Sequence, residues 1–211
     1  PRVYVPEQMA EELEVMLQSW GRLQRYAPLY DLIPAIPGER YPLRKGLELA
    51  PFRTYHPVPS CGYSVIEKVD KLKDEYKPLP GQEIGRLRKS GVQVTETRER
   101  RLLSVTGDTL PEVLDKQPQI LESETLLMEC TFLDERKPMD AVRAGGHVHL
   151  QDLLERADRL TVDRLVLSHY SQMHAPGTLV ELLRPLAAKI PGDLYVFPTR
   201  PGDALVGPVP K

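Results

Sequence analysis

The chain has 211 residues, 41% of them hydrophobic and 27% charged, with a formal net charge of −2. That length suits one domain, or one and a fraction, with a sizeable buried core. A charge so near neutrality excludes a bulk positive field for nucleic acid, so any RNA contact has to come from a local patch.

Val3–Val5 reads as a short strand, and Pro6 suits the first turn of a following helix. Met9, Leu13, Met16, Leu17 and Trp20 then recur at helical spacing, which predicts a helix whose apolar stripe packs into the core. Residues 27–50 are punctuated by Pro and Gly and predict a meander of short strands. Phe52–Tyr55 leads into His56, on a PVPSC connection, before a strand predicted over Gly62–Lys68. Residues 68–101 hold ten Lys or Arg against six Asp or Glu and little apolar content. They read as an exposed excursion with a short helix near Gln82–Lys89. It is either an ordinary solvated insertion or a substrate-contacting patch, the latter carried by Lys71, Lys73, Arg86, Arg88 and Lys89.

Leu102–Thr106 predicts a strand that stops in a Gly-Asp turn at Asp108. Thr125–Cys130 predicts a buried strand that passes Glu129, and a polar loop follows over Leu133–Gly146. Leu150, Leu153, Leu154 and Ala157 mark a helix, Val162–Leu167 a strand ending at His169, and Leu179, Leu182, Leu183 and Leu186 a helix that Pro185 must kink or end. Leu194–Phe197 is a last strand, and the tail over residues 198–211, rich in Pro and Gly, is expected to fray. The second half alternates strand and helix and the first half is richer in strands, a pattern that suits a layered α/β domain.

Asp108, His56 and His169 all follow strand-like runs, where a rigid sheet holds variable loops. This points to one carboxylate and several imidazoles converging on a metal site. A catalytic zinc needs neutral imidazoles and carboxylates with one position left open. Each residue also has a plainer role: Asp108 as a turn former, and each His as a hydrogen-bonded structural residue. His147 and His149, in HVH, are a ligand pair or one functional and one exposed His, whereas His174 reads as a surface residue. Glu129 at the end of a buried strand needs a partner, and a His is a good one. These donors are too few for two zinc ions, and the chain contains no HxHxDH.

Two cysteines, Cys61 and Cys130, make no disulfide framework and favour a reducing, cytoplasmic setting. The apolar runs are too short to span a bilayer, so no membrane contact is expected. The opening PRVYVPEQMA carries no signal pattern and does not begin with Met, and reads as a chain entered in the middle of a fold.

YHPVPSCGYSVIEK, KLKDEYKPLPGQEIGRLRKSGVQVT, VTGDT, LLMECTFLDE, GGHVHLQDLLERAD and LVLSHYSQMH, in that order, resemble ribonuclease Z. This is the short-form tRNA 3′-end processing endonuclease of the metallo-β-lactamase superfamily. The resemblance implies the C-terminal two-thirds of an αββα sandwich. The domain would cover residues 1–197 and lack the N-terminal strands and the HxHxDH loop. It implies His56, Asp108 and His169 as ligands of two zinc ions, with Asp108 bridging. Glu129 and His147 match a pair whose His helps protonate the leaving 3′-oxygen. It further implies precursor tRNA, or another phosphodiester, as substrate, and a homodimer. The excursion lies where the family inserts its tRNA-gripping arm but is shorter, and Ser171-Gln172-Met173-His174 replaces the family's Ser-x-Arg-Tyr. Three explanations stand for the absent loop: a piece of an ordinary enzyme, a short paralogue that no longer cuts, or a half completed by another chain. On any of them these 211 residues alone are expected to bind metal weakly and to be inactive. A hydrolase of a small ester is the alternative activity, and a non-catalytic module the alternative class.

Overall fold

In the computed structural model, every residue is described except Pro28, Arg200, Pro201 and Asp203. Among the described residues there are two sheets. A small parallel one pairs β1 (Arg2–Pro6) with β2 (Asp31–Ala35), in register from Arg2 opposite Asp31 to Pro6 opposite Ala35. Between them a 3-10 turn at Glu7–Met9 leads into α1 (Ala10–Gln24), which stops where Arg25 turns left-handed.

The larger sheet has seven strands in chain order: β3 (Tyr41–Arg44), β4 (Leu47–Arg53), β5 (Cys61–Leu72), β6 (Thr95–Val105), β7 (Thr125–Glu129), β8 (Arg164–Ser168) and β9 (Asp193–Val196). Pairing is antiparallel from β3 to β6 and parallel from β6 to β9. It follows that β4, β6, β7, β8 and β9 run the same way, and that their C-terminal ends share one rim of the sheet.

The helices alternate with the later strands. They are α2 (Gly81–Lys89), between β5 and β6, then α3 (Glu112–Lys116), α4 (Met139–Ala144), α5 (Leu150–Leu154) and α6 (Leu179–Ala187). The core lies on one face of the sheet. Leu126 and Met128 of β7, Leu165 and Leu167 of β8 and Leu194 and Val196 of β9 alternate toward Leu114, Leu153, Leu183 and Leu186 of the helices. Pro185 sits inside α6, which runs on for two residues beyond it.

Several expectations need correction. The stripe of α1 is not core: Met16, Trp20 and Leu23 are 58%, 59% and 77% exposed, and Gly21 alone of the helix is buried. The helix packs on the small β2 sheet, which is too narrow to cover a second flank. Residues 68–101, expected as an exposed excursion with a short helix, have a regular frame. Their flanks are the arms of the β5–β6 ribbon, paired out to Leu72 opposite Thr95, and α2 caps its tip. The tail is partly held. Val206 exchanges backbone hydrogen bonds with Val196 at 2.7 and 3.0 Å, covering the free edge of β9, and Val209 is buried. The expected fraying at positions 200, 201 and 203 lies outside the described residues. No helix among the described residues is long and apolar enough to cross a membrane.

Candidate metal centre at the strand ends

The shared rim explains why distant residues meet. His56 follows β4 by three positions, Asp108 follows β6 by three, Glu129 closes β7, and His169 follows β8 directly. His147 comes from the connection after β7, on the turn that follows α4.

Donor atoms of Asp108, His147 and His169 all lie within 4.8 Å of one another. The rings of His147 and His169 stack with centroids 5.2 Å apart. His56 meets the His147 ring edge-on at 5.8 Å, and its Nδ1 accepts the Val58 N–H at 3.3 Å. His56 therefore borders the donor group without joining it. Asp108 and His147 are half-buried, whereas His169 is exposed. Two imidazoles and one carboxylate form a donor set that suits zinc, and the opening to solvent leaves room for water and substrate.

Glu129 is 1% exposed and fully occupied. Its Oε1 accepts the Thr109 N–H at 2.7 Å, and its Oε2 accepts the Thr131 hydroxyl at 2.5 Å and the Val148 N–H at 3.2 Å. Nδ1 of His147 lies 3.2 Å from both oxygens. The expected Glu–His pair is thus assembled, with the carboxylate tying its own segment to those of Thr109 and His147–Val148.

Sequence reasoning missed Thr131. It lies two residues beyond Glu129 in extended chain, so both side chains point the same way. That period was the available signal. His174 is also corrected. It is buried, not on the surface, because Nε2 accepts the Leu133 N–H at 3.1 Å and Nδ1 faces Arg136 at 2.8 Å. Burial lowers its pKa below the ordinary value, while the Arg136 hydrogen bond holds the Asp134 carboxyl below the usual carboxylate range. His149 is neither ligand nor exposed. It caps α5 by accepting the Gln151 N–H, and Asp152 returns the bond to its backbone N–H.

Most basic residues of the excursion lie toward the ribbon tip, away from this rim, where Asp74 pairs with Lys77 and Arg98, and Glu96 with Arg98. Further down the ribbon Glu99 pairs with Arg40 and Lys68. Among the described residues Lys71, Lys73, Arg86, Arg88 and Lys89 form no ion pair, and all but the half-buried Lys73 are exposed.

No protein-family profile matches the chain. Over 192 residues it is 32% identical to the chloroplastic tRNase Z TRZ2 of Arabidopsis thaliana, covering 90% of this chain and 54% of that protein. The chain is ribonuclease Z-like. This ribonuclease Z-like chain is also 29% identical over 199 residues to tRNase Z TRZ1 of the same plant, covering 93% of itself and 71% of the relative. It spans about half the length of the first relative. Among solved structures it superposes on the metallo-β-lactamase fold protein YhfI of Bacillus subtilis with a TM-score of 0.58 at 14% identity, over 93% of this chain and 61% of that one. The fold is that of the metallo-β-lactamases. A further relative, 31% identical over 150 residues, covering 61% of this chain and 40% of its own length, is named zinc phosphodiesterase ELAC protein 1 in Homo sapiens.

Proposed function

We propose that this chain is the larger part of a zinc-dependent phosphodiesterase that processes the 3′ end of precursor tRNA. The observation that carries the reading is the convergence of Asp108, His147 and His169, from three separate segments, to within 4.8 Å. The names of the tRNase Z relatives support the substrate class, and the zinc phosphodiesterase supports the metal.

In this reading Asp108, His169 and the bordering His56 would hold zinc. Zinc bound there would supply Lewis acidity to a scissile phosphate and acidify water. The protein's own residues do the rest. Glu129 orients His147 through Nδ1 and stabilises its charged form, and His147 passes a proton from Nε2 to the leaving 3′-oxygen. The free cations Lys71, Lys73, Arg86, Arg88 and Lys89 contact the phosphates of the tRNA body. The exposed apolar face of α1 supports association, and a homodimer is the assembly that the resemblance implies. Two unpaired cysteines support a reducing compartment such as the cytoplasm.

The donors within these 211 residues fall short of two complete coordination shells, so the isolated chain is expected to bind zinc weakly and to be inactive. Zinc titration of the isolated chain tests this, alongside precursor tRNA cleavage by a protein that also carries an HxHxDH segment. Cleavage with a 3′-hydroxyl product supports the reading. A stoichiometric two-zinc complex of the 211 residues alone overturns the incomplete ligand set. Hydrolysis of a bis-aryl phosphodiester without tRNA cleavage favours the second reading, a small-phosphodiester hydrolase, which the short ribbon tip supports.

A further inference from the structure

The hydrogen bonds around Glu129 leave little freedom for the protons of the site. A threonine hydroxyl carries a single proton, and Thr131 donates it to Oε2 of Glu129 at 2.5 Å. The same Oγ1 lies 2.9 Å from Nδ1 of His169. With its proton committed, that oxygen can only accept from the ring. The other polar group beside Nδ1 is the Asp108 carboxylate, with Oδ1 at 3.6 Å, and it too is an acceptor.

We infer that Thr131 is a positioning residue that relays the acceptor character of Glu129 to His169, keeping the proton of that imidazole on Nδ1 and the lone pair on Nε2. Glu129 acts on His147 directly, because both carboxylate oxygens face its Nδ1 at 3.2 Å. One buried carboxylate therefore sets the tautomers of two stacked imidazoles. The inference rests on the reading of His169 as a metal ligand, since only an unprotonated ring nitrogen binds a metal. The backbone adds weight. His169 holds φ at 60°, a costly conformation that persists where the surroundings over-determine it. The hydroxyl of Thr131 is not needed to anchor its own segment. Its N–H donates to the Val148 carbonyl at 3.1 Å, and its carbonyl accepts the Ser171 N–H at 2.9 Å.

The test uses nitrogen-15-labelled histidine and two-bond proton–nitrogen spectra of the metal-free protein, with zinc affinity measured by competition. Wild type should show His169 protonated on Nδ1. Thr131→Val should let the proton move to Nε2 and weaken zinc binding by about 10- to 100-fold, as expected for loss of an outer-shell partner. Thr131→Ser should restore both. An Nε2–H tautomer in wild type overturns the inference without need of any variant. So does a Thr131→Val protein with unchanged tautomer and zinc affinity. An Nδ1–H tautomer in a wild type that takes up no zinc even when it also carries an HxHxDH segment overturns the metal reading and leaves the tautomer assignment standing.

Discussion

A Cβ placed on Gly146 would lie 2.3 Å from Cδ of Pro57 and 2.8 Å from Cδ2 of His56. The loop that delivers His147 and the loop that delivers His56 thus touch through a residue with no side chain. Its φ of +78° is a second reason for glycine. Gly146→Ala is expected to cost about 1–2 kcal/mol for the backbone alone, and the overlap must also push the loops apart. At this size each kcal/mol moves the midpoint by roughly 2–4 °C. Thermal unfolding should show a drop of several degrees, and an unchanged Tm would mean the loops are not in contact.

Asp108 and His147 should separate by their effect on metal. In a protein with the full ligand set, Asp108→Ala is expected to lose zinc and turnover together. His147→Ala should keep its zinc and lose turnover. Metal analysis and a precursor tRNA assay on the same preparations decide it. Loss of zinc from His147→Ala would make His147 a ligand, which its distance from Asp108 and His169 also permits.

The ribbon tip should matter for a long substrate only. Arg86→Glu with Lys89→Glu is expected to raise KM for precursor tRNA and flatten its salt dependence, each lost phosphate contact reducing the slope by about 0.7–0.9. Hydrolysis of a bis-aryl phosphodiester should not change. Equal loss on both substrates would place the effect in folding or in the metal site.

His174 makes stability depend on pH. Burial lowers its pKa in the folded chain, so the unfolded chain binds a proton more readily. Its contribution is whole above the unfolded value of about 6.5, and is lost as pH falls through that value toward the folded one. Denaturant unfolding at pH 7.5 and 5.5 should show wild type weakening on the acid side, and His174→Asn weakening less. The interval avoids Asp134 and Asp115, whose arginine partners depress their carboxyls and whose contributions fail only at lower pH. Identical slopes for the two proteins would remove His174 as the cause.

Much of the architecture was legible in the chain itself. The apolar runs of β7 and β8 announce buried strands, because a strand needs no distant partner to reveal its pattern. His56, Asp108, Glu129 and His169 could each be read as ending such a run. Periodicity misled where coverage was at issue. The stripe of α1 is genuine, yet what lies against Trp20 depends on the neighbouring layer and not on spacing. His174 and Thr131 are the opposite case. Nothing local distinguishes a surface His from one that accepts an N–H from Leu133, forty-one residues away. Strand positions could be read from the order of residues because they follow from local chemistry. Which donors share a proton, and which face another loop at a glycine, was decided only by the fold, because those contacts join segments that the sheet order alone brings together.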